Sequence, residues 1–70
     1  MNDGKVYKFV EFVGTSKVSW EDAAINAVNT ASKKYSDLRV GEIIKQDLTI
    51  EAGKVSLFRV RINISYRFHL

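Results

Sequence analysis

The chain has 70 residues, with 11 Lys and Arg against 8 Asp and Glu, and it contains no cysteine. A chain this short forms one domain with a thin core, because it buries only about 60% of the surface that its unfolded form exposes. The lack of cysteine excludes disulfides and thiolate metal sites as added stabilisers, which leaves self-association as the leading explanation for stability. The net charge of +3 permits anionic partners without requiring them.

The first predicted strand covers residues 5–13 and follows a flexible tail at residues 1–4. The strand is rich in β-branched and aromatic residues and has apolar side chains on both faces, so both faces need cover. Gly14 is expected to end the strand, and residues 14–18 are expected to form the connection to a helix. Residues 5–70 are predicted to form a single domain.

A helix is predicted over residues 19–35, where apolar residues recur at i, i+3 and i+4 and alanine forms the middle of the stripe. Ser19 is the expected N-cap, and the side chain of Asp22 is expected to reach back to it in a capping box. Capping is also the simpler role for Glu21. Trp20 lies at the start of the apolar stripe, which favours a packing role over stacking on a cofactor.

Two long strands follow at residues 38–50 and 54–68, and a short turn at residues 51–53 joins them as a hairpin. Gly41 is expected to form a β-bulge in the second strand. The third strand alternates cleanly between apolar and polar side chains. The order β-α-β-β predicts an α+β fold in which a three-stranded antiparallel sheet wraps one helix. These strands are longer than one helix can cover, so their ends should pack on another copy of the chain.

The residue inventory argues against an enzyme. There is no cysteine, and the one histidine, His69, lies next to the C-terminus, so a nucleophilic triad is excluded in practice. The glycines are scattered singly, without a phosphate loop or a dinucleotide fingerprint. No apolar run approaches the length of a membrane span and no signal peptide is evident, so we expect a cytoplasmic protein without a membrane partner.

Basic residues form the concentrated charge feature of the sheet: Arg59, Arg61, Arg67, Lys45 and Arg39. As a functional site, this row would bind a phosphate-bearing small molecule or nucleic acid. The simpler interpretation is a solvated face with acidic cross-strand partners, drawn from Glu11, Asp47 and Glu51. A nucleic-acid-binding sheet would carry aromatic side chains on the same face, whereas those of the third strand lie on the opposite one, which disfavours nucleic acid.

Four segments together resemble a known family: VYKFVEFVGTS at residues 6–16, SWEDAA at 19–24, DLRVGEIIKQD at 37–47 and the long last strand. The chain resembles the dodecins over residues 5–68. The resemblance implies a β-α-β-β subunit assembled as a hollow particle of twelve identical chains. The SWEDAA segment, with Arg39-Val40 and Gln46-Asp47, is most similar to the branch called calcium dodecin.

Flavin-binding dodecins stack riboflavin or its nucleotides on a tryptophan early in the second strand and hydrogen-bond the ring with a glutamine in the third. The resemblance places Val40 and Arg59 at these positions. Valine has no ring to stack on, and arginine is a donor only, so a weakened flavin pocket is implied. Val40, Lys45 and Arg59 are the candidate ligand-binding residues, with flavin, as riboflavin or FMN, or calcium as the ligand.

Several carboxylates could supply oxygen ligands to calcium if symmetry brought copies of the chain together: Glu21, Asp22, Glu42, Asp47 and Glu51. Their spacing is not diagnostic, so the metal ligands stay unassigned. We expect a cytoplasmic, non-enzymatic homododecamer that binds, stores or sequesters a small ligand. The alternative is a purely structural particle without a small-molecule role, and an anion-binding or nucleic-acid-binding module is the third hypothesis.

Overall fold

The computed structural model describes residues 4–69, which form the predicted α+β fold. Its elements in chain order are β1 (Tyr7–Ser16), α1 (Trp20–Ser32), β2 (Leu38–Glu51) and β3 (Lys54–Arg67). The strands form one antiparallel sheet in the order β1-β3-β2, so β3 is central. The predicted tail at residues 1–4 lies outside the described residues apart from Gly4, as does residue 70. The predicted domain limits therefore stay a prediction.

The core lies between α1 and the part of the sheet formed by β1 and β3. The buried apolar residues of the described chain are three alanines of α1 and three β-branched residues of β3: Ala23, Ala27, Ala31, Val60, Ile62 and Ile64. This confirms which face of the third strand is apolar. Trp20 packs edge-on against Phe58 with ring centroids 5.4 Å apart, which fits its predicted packing role. No helix in the described part is long and apolar enough to span a bilayer.

Gly14 does not end the first strand, so that prediction was wrong. β1 continues through Gly14, which pairs with Val60, as far as Ser16. A Cβ at Gly14 would overlap the carbonyl oxygen of Ala23 and lie 3.0 Å from the Cβ of Ala27. The glycine is therefore needed because α1 crosses β1 closely at this point.

The helix begins as predicted, but its cap is only half of a capping box. The backbone N–H of Asp22 donates to Ser19 Oγ at 3.0 Å, whereas the Asp22 carboxylate accepts from Ser16 Oγ at 2.6 Å. Ser16 Oγ in turn accepts from the backbone N–H of Val18 at 2.8 Å. The buried Ser16 thus ties the end of β1 to the start of α1. The helix ends at Ser32, earlier than predicted, with Lys33 as its C-cap.

The second strand contains irregularities, but none at Gly41, so the predicted bulge there was wrong. Gly41 pairs with Ile64, and the register shifts lie between Leu38 and Val40, between Ile43 and Lys45, and between Thr49 and Ile50. The lack of a side chain at Gly41 instead leaves room for Ile62, whose Cδ1 would lie 3.0 Å from an added Cβ.

The hairpin between β2 and β3 is tighter than predicted. Its two turn residues, Ala52 and Gly53, both have positive φ, 51° and 76°, and Glu51 already pairs with Lys54. Positive φ at both central residues is the geometry that matches the twist of hairpin strands.

Substituting Gly14 by alanine should destabilise the fold by about 1–3 kcal/mol, because the added Cβ overlaps the helix backbone, which cannot move without opening the core. Urea unfolding at matched protein concentration measures the free energy of unfolding. Gly41→Ala is the matched control, since its Cβ would meet only the flexible end of Ile62. Equal losses for the two variants would contradict the close helix crossing as the reason for Gly14.

A candidate ligand-binding face on the sheet

The candidate residues lie on the face of the sheet turned away from α1, which we call the open face. Directly opposed residues of antiparallel strands share a face, so the pairing assigns the side chains to cross-strand bands. Each band contains one residue from β1, one from β3 and one from β2, in that order. The apolar band contains Phe9, Ser65 and Val40, and the acidic band contains Glu11, Asn63 and Glu42. The basic band contains Val13, Arg61 and Lys45, and the ion-paired band contains Thr15, Arg59 and Asp47.

Val40 and Lys45 both lie on the open face. A strict alternation along β2 would put these two residues on opposite faces, because one is at an even position and the other at an odd one. The register shifts after Leu38 and after Ile43 each skip one residue, and each skip exchanges the two faces for the residues that follow.

The apolar band forms an open groove of about 830 Å³. Val40 and Phe9 line it from the two edge strands and are 61% and 63% exposed. Ser65 forms the floor, 6% exposed, and its Oγ accepts from the backbone N–H of Val40 at 3.2 Å. Polar groups on Arg39, Glu42 and Asn63 surround the groove. A largely apolar cleft with a few polar groups suits a flat organic ligand.

Two groove residues were missed by the sequence reasoning. Tyr7 and Phe9 contribute the aromatic rings of the groove, on the same face as the basic residues. Their alternation in the first strand placed them on one side together. Only the pairing of β1 with β3 shows that this side is the open face, because apolar side chains occupy both faces of that strand.

Lys45 and Arg59 lie together in a second, much smaller cleft of about 20 Å³, lined also by Val13, Asp47 and Arg61. Arg59 holds Asp47 with a two-pronged contact, Nε to Oδ1 at 2.7 Å and Nη2 to Oδ2 at 2.9 Å. This contact confirms Asp47 as a cross-strand partner. The hydrogen bond from Arg59 holds the pKa of Asp47 below its ordinary value, and the charge of Lys45 acts in the same direction.

Val40 and Arg59 do not share a site within one chain. Val40 lies opposite Ser65 of β3, and Ser65 is six residues from Arg59 along that strand. At 3.3 Å per residue, the two positions are about 20 Å apart. A ligand that touches both residues would have to lie between two copies of the chain. The ligand-binding roles of Val40, Lys45 and Arg59 stay predictions.

The basic row of the sequence divides into separate groups. Arg39 pairs with Asp37, Nη2 to Oδ1 at 2.9 Å, and His69 Nε2 lies 3.0 Å from the other oxygen of Asp37. The hydrogen bond from His69 is the main reason that the pKa of Asp37 is lowered. Arg67, opposite Tyr7, lies at the far end of the open face from Arg59.

The carboxylates of residues 4–69 are not gathered into a calcium site. Among the described residues, no group of three or more His, Cys, Asp or Glu side chains could hold a metal ion. Two of the candidate carboxylates already have other partners, because Asp22 accepts from Ser16 and Asp47 from Arg59. Three or more of the described carboxylates could therefore meet at one calcium ion only if more than one copy of the chain contributed them.

Comparisons with known proteins agree on one family. The family model described as Dodecin matches residues 6–69. Calcium dodecin from Mycobacterium tuberculosis is 40% identical over 63 residues, which are 89% of this chain and 87% of the relative. The solved dodecin from Streptomyces coelicolor has a TM-score of 0.93 at 29% identity, with 99% of each chain covered. The M. tuberculosis calcium dodecin structure, described as having a calcium-binding site, has a TM-score of 0.81 at 37% identity, with 91% of each covered.

Substituting Arg59 by glutamine should raise the pKa of Asp47 towards its ordinary value, because the hydrogen bond that lowers this pKa is lost. The rise should be partial, since Lys45 and Arg61 remain. A carboxyl whose folded-state pKa is depressed stabilises the fold above its unfolded pKa of about 3.9, and this contribution disappears as the pH falls through the folded value.

Carboxyl NMR titration measures this change, and stability below pH ~3.9 should become less dependent on pH in the variant. The pKa of Asp37 provides an internal control, because its partners are Arg39 and His69. An unchanged pKa of Asp47 would contradict the two-pronged contact.

Proposed function

This chain belongs to the dodecin family, and we propose on that basis that it forms a non-enzymatic homododecamer that binds and sequesters a small ligand. The proposed site is the groove formed by Tyr7, Phe9 and Val40 on the open face. The predicted cytoplasmic location stays a prediction.

The observation that carries this proposal is the apolar surface that one chain leaves uncovered. The chain extends over 59 × 20 × 14 Å, whereas the 13 residues of α1 cover about 20 Å of that length. On the helix side of the sheet, Ile43 and Leu48 of the edge strand β2 are exposed, and Phe9, Val13 and Val40 are exposed on the open face. Apolar surface of this extent on both faces favours burial against further copies.

The size and lining of the groove favour a flat aromatic ligand such as a flavin. It is large enough for a ring system, and Tyr7 and Phe9 provide aromatic surface. Val40 cannot stack, and each missing aromatic contact costs about 0.5–1.5 kcal/mol beyond the area buried. We therefore propose that flavin binding is weak in this chain.

Calcium is the second candidate ligand, supported by the 40% identical relative that is called calcium dodecin. In this chain calcium would have to bind where several copies bring carboxylates together, because one described chain has no cluster of three metal-binding side chains. Glu42, at the edge of the groove, is the candidate carboxylate that lies next to the proposed ligand site.

The assembled protein should sediment at about 96 kDa, as expected for twelve chains of 8.0 kDa. Ile43→Asp should shift it towards smaller species, because a carboxylate would be buried without a partner at the contact. Asn29→Asp is the matched control, since it adds the same charge at an exposed polar position of α1. A stable monomer at micromolar concentration would refute the proposed assembly.

Val40→Trp should tighten riboflavin binding by about two- to twelvefold, because it restores a ring for one stacking contact. Quenching of flavin fluorescence measures the affinity. Ile50→Trp adds the same ring at an exposed position near the hairpin, outside the groove, and should leave the affinity unchanged.

Titrations of the unmodified protein with riboflavin and with calcium separate the remaining hypotheses. Weak riboflavin binding or measurable calcium binding supports the small-ligand proposal. Tight riboflavin binding by the unmodified protein would contradict the argument from Val40. If neither ligand binds, the purely structural particle replaces the proposal.

A further inference from the structure

The basic band of the open face carries two positive charges that form no ion pair among the described residues. Lys45 of β2 and Arg61 of β3 are directly opposed. Like charges in directly opposed positions destabilise a sheet. Within the described residues, the ion pairs involve neither of these two side chains. We infer that Lys45 and Arg61 form a binding site for an oxyanion, in particular a single phosphate group.

The acid in the same cleft is held by another residue. Lys45 and Arg61 attract the Asp47 carboxylate and lower its pKa, but Arg59 occupies both of its oxygens, at 2.7 and 2.9 Å. The donors of Lys45 and Arg61 are therefore left to solvent or to a ligand. An arginine guanidinium matches two phosphate oxygens at once, and a lysine ammonium adds a compact charge beside it.

The shape of the cleft limits the ligand to a small group. Its volume of about 20 Å³ holds little more than one water molecule, so an organic ring cannot enter it. Val13 forms the apolar wall on the β1 side. This cleft is distinct from the apolar groove around Val40, which has different lining residues.

The surrounding charges favour one phosphate group over a polyanion. The acidic band, with Glu11 and Glu42 on the two edge strands, is the next band along the sheet on one side of the basic band. Asp47 lies on the other side. A nucleic-acid backbone running along the sheet would place its phosphates against these carboxylates, which repel it, whereas one phosphate contacts only the basic band.

The test uses the full chain in its native assembly and inorganic phosphate as the probe. Calorimetric titration at constant ionic strength, balanced with chloride, measures the phosphate affinity. The double substitution Lys45→Gln with Arg61→Gln should weaken it by at least about tenfold, as expected when charge-assisted hydrogen bonds are lost. Lys17→Gln with Lys54→Gln removes the same charge from exposed positions elsewhere and should change the affinity by less than about twofold.

Two single substitutions test the site even if the double variant does not fold. Arg61→Lys keeps the charge but loses the planar fork, so phosphate affinity should fall severalfold in a protein of unchanged charge. Asp47→Asn removes the carboxylate from the cleft and releases Arg59, so phosphate affinity should rise. A fall in affinity for Asp47→Asn would contradict the site.

The proposal is overturned if the unmodified protein binds phosphate no more tightly than chloride, or if the two double variants lose affinity equally. Binding of an oligonucleotide without binding of phosphate would also overturn it, in favour of a nucleic-acid surface. Val40→Trp should leave the phosphate affinity unchanged because Val40 lines the other groove. If the flavin or calcium proposal fails, the phosphate affinities can therefore still be interpreted on their own.

Discussion

The close contact between α1 and the sheet is the constraint on which the rest of the structure depends. Three alanines face β3, and Gly14 of β1 has no side chain where the backbone of Ala23 passes. Small residues allow this approach, but they bury little apolar area, so one chain has a core of modest size. The long sheet continues past the helix with apolar side chains exposed on both faces. The proposal of self-association therefore depends on this contact more than on any single surface residue.

The side chains of the central strand β3 alternate between two faces of the sheet that have different roles. Its apolar side chains, Val60, Ile62 and Ile64, form the core with α1. Its other side chains, from Arg59 to Ser65, form the middle of every band on the open face. Any ligand on this face therefore contacts a strand whose opposite side is held by the helix. Such a rigid support limits the side-chain positions and lowers the entropic cost of binding.

Part of the candidate site could be predicted from the sequence, because it depends on local patterns. The alternation in the third strand placed Arg59 and Arg61 on one face, and the resemblance to dodecins singled out Val40. Neither argument could show that Val40 and Arg59 lie about 20 Å apart along β3. The division of the basic row was equally hidden. Arg39 and Arg59 form ion pairs, whereas Lys45 and Arg61 oppose each other, and this depends on which residue of β2 lies opposite Arg61.

The order of the elements, the cap at Ser19, the hairpin and the core face of the third strand each follow from residues close together in the chain, so they could be predicted from the sequence. Two other features depend on strand pairing and helix packing: Gly14 belongs to a strand under the helix, and Val40, Lys45 and Asp47 share one face. The reason is that side chains alternate with a period of two along a strand. One skipped residue at Arg39 or Ile44 therefore exchanges the faces, and the pairing with β3 selects where the skips occur.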